Sequence, residues 1–149
     1  MSVQQKLMDD MKSAMKAGDK LRLETIRGLR AQFKNLEIDK GHTLTDEEEI
    51  QGLMSAAKKR KESIEQFRAV NRLDRAAEEE KELEIIHSYL PEQLSEDKIA
   101  ELVDQVIKEV GASSPGDIGK VMGKIMGQVK GKADGRMVQT IVQQKLAAL

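Results

Sequence analysis

The chain of 149 residues contains no cysteine and no tryptophan, and it has only two prolines. Without cysteine it can form no disulfide, thiol nucleophile or thiolate metal site. The opening residues also lack the apolar core of a secretory signal, and no stretch approaches the ~20 consecutive apolar residues that a transmembrane helix needs. These absences lead us to expect a cytosolic protein that makes no use of a membrane.

Aromatic side chains are nearly absent and comprise only Phe33, Phe67 and Tyr89. The core must therefore be built from leucine, isoleucine, valine, alanine and methionine, a set that suits helix packing better than strands, which favour β-branched and aromatic residues. Stacking of nucleic-acid bases on an aromatic platform is also unexpected. The sequence thus predicts an all-α fold.

Apolar spacing and helix signals predict a bundle of about four helices over residues 1–92. The first covers residues 3–17 and ends at Gly18, and the second runs from Asp19 to Gly41. Thr45 and Glu48 form a capping box that opens a third helix, and Pro91 ends the fourth. The residues expected to point inward are Val3, Leu7, Met8, Met11, Met15, Leu23, Ile26, Leu29, Phe33, Leu36, Ile50, Leu53, Met54, Ala57, Ile64, Phe67, Leu73, Ala76, Ala77, Leu83, Ile86 and Leu90.

A second, smaller module of three helices is predicted over residues 95–149. Ser95 caps its first helix and Gly111 closes it. Ser114 and Pro115 then begin a helix that should run to about Lys130, and a last helix starts near Asp134. About fifteen apolar side chains would form its core, close to the lower limit for a domain of this size.

Five glycines recur at intervals of four residues in the second module: Gly119, Gly123, Gly127, Gly131 and Gly135. An interior glycine costs a helix roughly 0.8–1 kcal/mol relative to alanine, so the pattern indicates a need for bare backbone. The apolar stripe of this helix predicts that the glycines lie outside the core. They would let either a neighbouring helix or an anionic backbone such as RNA approach closely.

Basic residues are concentrated in two regions although the net charge is only −1. Residues 111–149 hold six bases, Lys120, Lys124, Lys130, Lys132, Arg136 and Lys145, against two acids. A second basic patch comprises Lys16, Lys20, Arg22, Arg27 and Arg30, with Lys12 and Lys34 beside it. Lysines at the edge of a glycine surface can engage phosphates, and we expect the second patch to add affinity.

No catalytic or metal-binding constellation is recognisable. His42 and His87 belong to no ligand-spaced motif and are expected to be ordinary surface residues. The many glutamates of the third and fourth helices lack the Glu-x-x-His pairs of a bundle metal site. Neither a cofactor nor catalysis by this chain is therefore expected.

Three stretches together resemble the YqeY family of small bacterial proteins over essentially the whole chain. They are Lys-Ala-Gly-Asp-Lys-Leu-Arg-Leu-Glu-Thr-Ile-Arg at 16–27, Glu-Lys-Glu-Leu-Glu-Ile-Ile-His-Ser-Tyr-Leu-Pro-Glu-Gln-Leu at 80–94, and the glycine–lysine segment. That family is similar in turn to the tail of the GatB subunit of the tRNA-dependent amidotransferase. In that enzyme the tail helps to hold tRNA. The resemblance implies a nucleic-acid-facing set of Gly119, Lys120, Gly123, Lys124, Lys130, Gly131, Lys132, Asp134 and Gly135.

Nothing in the chain matches the catalytic residues of the amidase subunit or the kinase portion of GatB. The resemblance therefore implies a non-catalytic tRNA-binding accessory, with the amidotransferase or an aminoacyl-tRNA synthetase as possible protein partners. Two alternatives stay open. One is a protein adaptor whose glycine groove docks a partner helix, and the other is a cytosolic helical protein with no RNA role.

Overall fold

The computed structural model describes residues 2–149, and within them it contains seven α-helices and no strand. The predicted all-α fold is confirmed. The chain divides into two compact units, Met1–Pro91 and Glu92–Leu149. The helices are α1 (Val3–Ala17), α2 (Lys20–Lys40), α3 (Asp46–Ala69), α4 (Leu73–His87), α5 (Glu96–Val110), α6 (Ile118–Val129) and α7 (Gly135–Ala147), with a 3₁₀ turn at Pro115–Asp117.

Two helical hairpins, α1–α2 and α3–α4, make up the N-terminal unit. Gly18 and Gly41 end α1 and α2 in the left-handed conformation, which glycine adopts without steric cost. The predicted capping box at the start of α3 is confirmed, with the Thr45 hydroxyl accepting from Glu48 N at 3.2 Å and the Glu48 carboxylate accepting from Thr45 N at 3.0 Å. The buried core of this unit centres on Leu7, Ile26, Leu29, Phe33, Leu53 and Ile86.

Two polar contacts connect α1 to α3 and to the segment that follows α4. The carboxylate of Glu49, buried on α3, accepts a hydrogen bond from Gln4 N at 2.9 Å, and burial raises the pKa of Glu49. The Tyr89 hydroxyl donates to Asp10 Oδ2 at 2.5 Å, and burial raises the pKa of Tyr89. The tyrosine of the Tyr-Leu-Pro motif thus has a structural partner on the first helix.

Several sequence-based placements in the N-terminal unit are wrong. Met15 is 54% exposed because Ala14, seven residues after the buried Leu7, takes the inward position. Leu73 is 61% exposed as the first residue of α4, and Ala77 is exposed one turn later. His87 is half-buried rather than a surface residue, and its pKa is lowered by burial and then by Lys61.

The C-terminal unit packs α5, α6 and α7 around one apolar cluster. Its buried side chains are Ile99, Val103, Val106, Ile107, Val121, Ile125, Val129, Ala133, Val138, Val142 and Leu146. The glycine-bearing helix differs from the prediction at its start, because Pro115–Asp117 form a 3₁₀ turn before α6 begins at Ile118. It also ends one residue early, with Lys130 outside the helix.

Candidate nucleic-acid interface

The position of α6 in the C-terminal unit is set by its apolar stripe and by the turn before it. Val121, Ile125 and Val129 are fully buried in the core. At the start, the Asp117 carboxylate accepts from Ser113 N at 2.9 Å and from Ser114 N at 3.2 Å. These hydrogen bonds lower the pKa of Asp117, chiefly through the Ser113 N–H. Side-chain burial and capping together orient the opposite side of α6 toward solvent.

A row of three glycines occupies that outward side. Gly119, Gly123 and Gly127 are exposed, and each lies one turn after the previous one, so the row extends along about 12 Å of helix. A Cβ atom added at any of the three would have no neighbouring atom within 4 Å. Hence no part of the described chain packs against this row, and the neighbouring-helix explanation does not apply within the chain.

Gly131 and Gly135 share the spacing of the row but not its environment. Gly131 is buried and adopts a φ of 75° in the turn after α6, a conformation that favours glycine. Gly135 is the first residue of α7, and a Cβ there would lie 3.7 Å from Met126 Cε. Of the four glycines in the implied set, Gly119 and Gly123 lie in the open row with Gly127, whereas Gly131 shapes a turn and Gly135 begins α7.

The predicted anion-binding cations have different environments. Lys124 pairs with Glu109 of α5 at 2.5 Å, so an external anion would compete with this carboxylate for the ammonium group. The side chain of Lys120 is 70% exposed and lies 4.0 Å from Asp117. Lys132 and Arg136 are exposed, while Lys130 is the residue directly after α6. Lys120, Lys132 and Arg136 are the basic side chains best placed to meet an external anion.

Asp134 has a structural role at the start of α7. Its carboxylate accepts from Arg136 N at 3.1 Å and caps α7. A carboxylate satisfied in this way positions the Arg136 backbone at the first turn of the helix. The cap therefore explains the Ala-Asp-Gly-Arg segment without any ligand.

The second predicted basic patch lies on the α1–α2 hairpin. Arg22 pairs with Asp19 at 3.8 Å. The Arg30 guanidinium donates to Met11 Sδ at 3.1 Å. Lys16, Lys20 and Arg27 are exposed. Sequence reasoning did not recognise that methionines border this patch, because the helical periodicity assigned Met8, Met11 and Met15 to the core.

Acidic side chains of the N-terminal unit are engaged in ion pairs. No group of three or more histidine, aspartate or glutamate side chains among residues 2–149 is arranged to hold a metal ion. The acidic side chains of α4 instead surround Arg60 of α3, which lies 2.8 Å from Glu82 and 3.4 Å from Glu79. Within the same residues, no helix has the length and apolarity that spanning a bilayer requires.

Comparison with known families assigns the chain. A model of the family described as "Yqey-like protein" matches residues 4–146. The chain belongs to the YqeY family. The family assignment confirms the resemblance that the sequence motifs gave.

Curated relatives of this YqeY-family protein are fungal. The chain is 42% identical over 112 residues to "Altered inheritance of mitochondria protein 41, mitochondrial" of Lachancea thermotolerans, covering 73% of this chain and 60% of the relative. The protein of the same name in Pyrenophora tritici-repentis is 31% identical over 122 residues, covering 78% and 67% of the two chains. The chain thus spans about 60% of the length of the first of these relatives.

The names of these relatives overturn the expectation of a cytosolic protein, since they describe mitochondrial proteins. The expectation rested on the absence of cysteine and of a secretory signal. Neither absence distinguishes the cytosol from the interior of an organelle, so these two observations could not support a cytosolic location.

Proposed function

We propose that this YqeY-family protein is a non-catalytic RNA-binding accessory that holds tRNA by its sugar–phosphate backbone. The observation that carries the proposal is the open row of Gly119, Gly123 and Gly127 on a helix whose other side is buried. A partner backbone can approach this row closely because no side chain stands above it. The chemistry of any tRNA modification would then belong to a partner enzyme, either the amidotransferase or an aminoacyl-tRNA synthetase.

Charge supports RNA over an apolar helix as the occupant of the row. From α6 to the C-terminus the chain has six basic residues and only one acidic residue, Asp134. The acidic residues of this unit are concentrated on α5, which provides the ion-pair partners of Lys124 and Lys145. Lys120 lies one residue after Gly119 on the helix, and Lys132 and Arg136 follow in the turn and the first turn of α7.

The proposal predicts a salt-dependent affinity for tRNA with little sequence preference. Purified full-length protein is titrated with total tRNA at about 50 and 200 mM salt, and binding is followed by fluorescence anisotropy. Three phosphate contacts should weaken binding roughly 20- to 40-fold between the two salt concentrations. Replacing Lys120, Lys132 and Arg136 by glutamine should weaken binding and lower the log–log slope by about two units or more.

A matched variant separates specific contacts from net charge. Lys59, Lys61 and Lys81 are exposed and belong to α3 and α4 of the N-terminal unit, so their replacement by glutamine removes the same charge without touching the proposed interface. That variant should retain most of the slope. If both triple variants lose the same amount, the assignment of the interface is wrong.

Gly123→Leu tests the row itself. Leucine is a good helix former, and a Cβ at this position has open space, so the variant should fold and yet block close approach of the backbone. Gly28→Leu on α2 is the control, because a Cβ added at Gly28 likewise has no neighbour within 4 Å. Unchanged tRNA binding by Gly123→Leu would contradict the proposal.

A further inference from the structure

A second surface, independent of the proposed RNA site, lies on the α1–α2 hairpin. We define the hairpin surface by the side chains that α1 and α2 direct to one side of their shared groove. Met11 of α1 contacts Arg30 of α2 through its sulfur, which fixes the side of each helix that is involved. The members are Met8, Lys12, Met15 and Lys16 of α1 and Arg27, Arg30 and Lys34 of α2, which helical geometry places beside the Met11–Arg30 contact.

The basic residues of the hairpin surface have no carboxylate partners. Among residues 2–149, Lys12, Lys16, Arg27, Arg30 and Lys34 take part in no ion pair. On the α3–α4 hairpin of the same unit the arginines are paired with glutamates or an aspartate. These pairs are Arg60 with Glu79 and Glu82, Arg68 with Glu80, Arg72 with Asp74 and Arg75 with Glu78.

Apolar surface accompanies these unpaired charges. Met15 is 54% exposed and Met8 is half-buried. Met8, Arg30 and Lys34 line an open groove of about 450 Å³ at one end of the hairpin, together with Ser2, Gln4, Gln5, Glu37 and Thr43. The Glu37 carboxylate in this lining accepts a hydrogen bond from Leu44 N at 3.2 Å. Methionine adapts its shape to apolar partners and is common on surfaces that receive peptide helices. The combination is a flexible apolar strip bordered by cations.

We propose that the hairpin surface docks an acidic amphipathic helix of a partner protein. The methionines would cover the apolar side of that helix, and the unpaired lysines and arginines would pair with carboxylates at its edges. Charge complementarity therefore selects the partner. Met8 and Met15 are seven residues apart on α1, so the methionines extend along about 10 Å of the helix and match about two turns of a docked helix.

Other anionic partners fit the surface less well. A phosphate backbone would use the cations but leave the exposed Met15 without an apolar partner, and Arg30 already rests on a sulfur rather than extending into solvent. A bilayer surface favours a helix with one wide apolar face. The methionines here form a narrow strip between cations, so a helix with acidic flanks matches both parts.

Methionine-methyl NMR of the full-length protein tests the proposal at residue resolution. The probe is a synthetic 15-residue peptide of leucine, alanine and glutamate, with leucines at helical i, i+3, i+4 and i+7 positions and glutamates on both flanks. The control peptide has the same composition in scrambled order. The designed peptide should shift the methyl signals of Met8, Met11 and Met15 and leave Met122 and Met126, which border the glycine row, unchanged.

Charge reversal at Arg27 and Lys34 should weaken peptide binding by about tenfold or more, whereas reversal at Lys59 and Lys81 should not.

Absence of shifts, or equal shifts with the scrambled peptide, would overturn the proposal. Displacement of the peptide from Met8 and Met15 by tRNA would identify a phosphate-binding surface instead. Shifts with anionic phospholipid vesicles but not with the peptide would likewise reject the protein partner. RNA binding at α6 is read separately through Met122 and Met126, so either proposal can fail alone.

Discussion

Glycine has opposite environments in the two units of the molecule. On α3, Gly52 is buried, and a Cβ there would lie 2.6 Å from Cε1 of the buried Phe33. Its carbonyl also accepts from Gln32 Nε2 of α2 at 2.9 Å. On α6, a Cβ at Gly123 would contact nothing. Glycine at position 52 permits α3 to approach α2 closely. Glycine at position 123 lowers the stability of α6 and is not offset by any contact within the described chain.

That difference separates a packing role from a surface role for one residue type. The loss of helix stability at Gly52 is offset by the contact between α3 and Phe33. The loss at Gly123 has no such compensation within the described chain, so its explanation must lie in what approaches from outside. The comparison is the physical basis for assigning the glycine row, rather than every helical glycine, to binding.

The largest effect is expected for Gly52→Ala. The added methyl group overlaps the Phe33 ring, which is held in the core, and overpacking of this kind costs about 1–3 kcal/mol. Urea unfolding of the N-terminal unit should show the loss in the free energy of unfolding. The double variant Gly52→Ala, Phe33→Leu should recover part of it, and a double variant no more stable than the sum of the singles would refute the steric explanation.

Gly123→Ala should have the opposite sign. Alanine improves helix propensity by up to about 1 kcal/mol, and the open environment imposes no steric cost. Thermal unfolding followed by circular dichroism should therefore give a higher melting temperature. Gly28→Ala is the matched control in the N-terminal unit and should gain similarly. A destabilised Gly123→Ala would show that the row is packed in solution and would remove the contrast with Gly52.

The smallest effects on stability are expected for the carboxylates that cap α3 and the turn before α6. Lys40 and the Thr45 N–H hold the pKa of Glu48 at about 2, below its usual 4.5, and backbone N–H groups lower that of Asp117. Each carboxylate thus stabilises the folded state above its unfolded pKa, and this contribution is lost as pH falls through its folded pKa. Glu48→Gln and Asp117→Asn should be less stable than the parent at pH 7.

These differences in the free energy of unfolding should shrink as the pH falls below the unfolded pKa of each carboxyl group. For Glu48→Gln the decrease should begin near pH 4.5 and be complete only as the pH nears 2. Urea unfolding of each variant over a pH series checks the direction. A deficit of Asp117→Asn that stays constant until the Asp117 carboxylate is protonated in the folded chain as well, below its usual pKa of 3.8, would mean that the charge of Asp117 contributes nothing to the cap.

Local signals in the sequence were sufficient for the helices because the relevant contacts are close along the chain. Thr45 with Glu48, and Gly18, Gly41 and Gly111 at helix ends, act within a few residues. Burial of Met15 and Leu73 could not be read in the same way, since helix periodicity does not reveal where a neighbouring helix begins or ends. The exposed positions of Gly119, Gly123 and Gly127 were predicted from the apolar stripe of α6.

The candidate interface was less accessible to sequence reasoning. The pairing of Lys124 with Glu109 depends on how α5 and α6 pack, and this contact removes one predicted cation from the free set. Gly131 follows the four-residue spacing yet turns the chain, because the helix has already ended at Val129. The four-residue spacing of the glycines continues past Val129, but it places residues on one side of the chain only while the chain is helical.

The turn at Gly131 also determines where the C-terminal unit begins as an independent piece. Gln93 Nε2 donates to Gly131 O, and Leu94 N donates to Lys132 O, both at 2.8 Å. Residues before α5 are thereby hydrogen-bonded to the turn between α6 and α7. A fragment that starts at Ser95 would leave the carbonyls of Gly131 and Lys132 without these donors, whereas a fragment that starts at Glu92 keeps both hydrogen bonds. The folding unit therefore includes residues that precede its first helix.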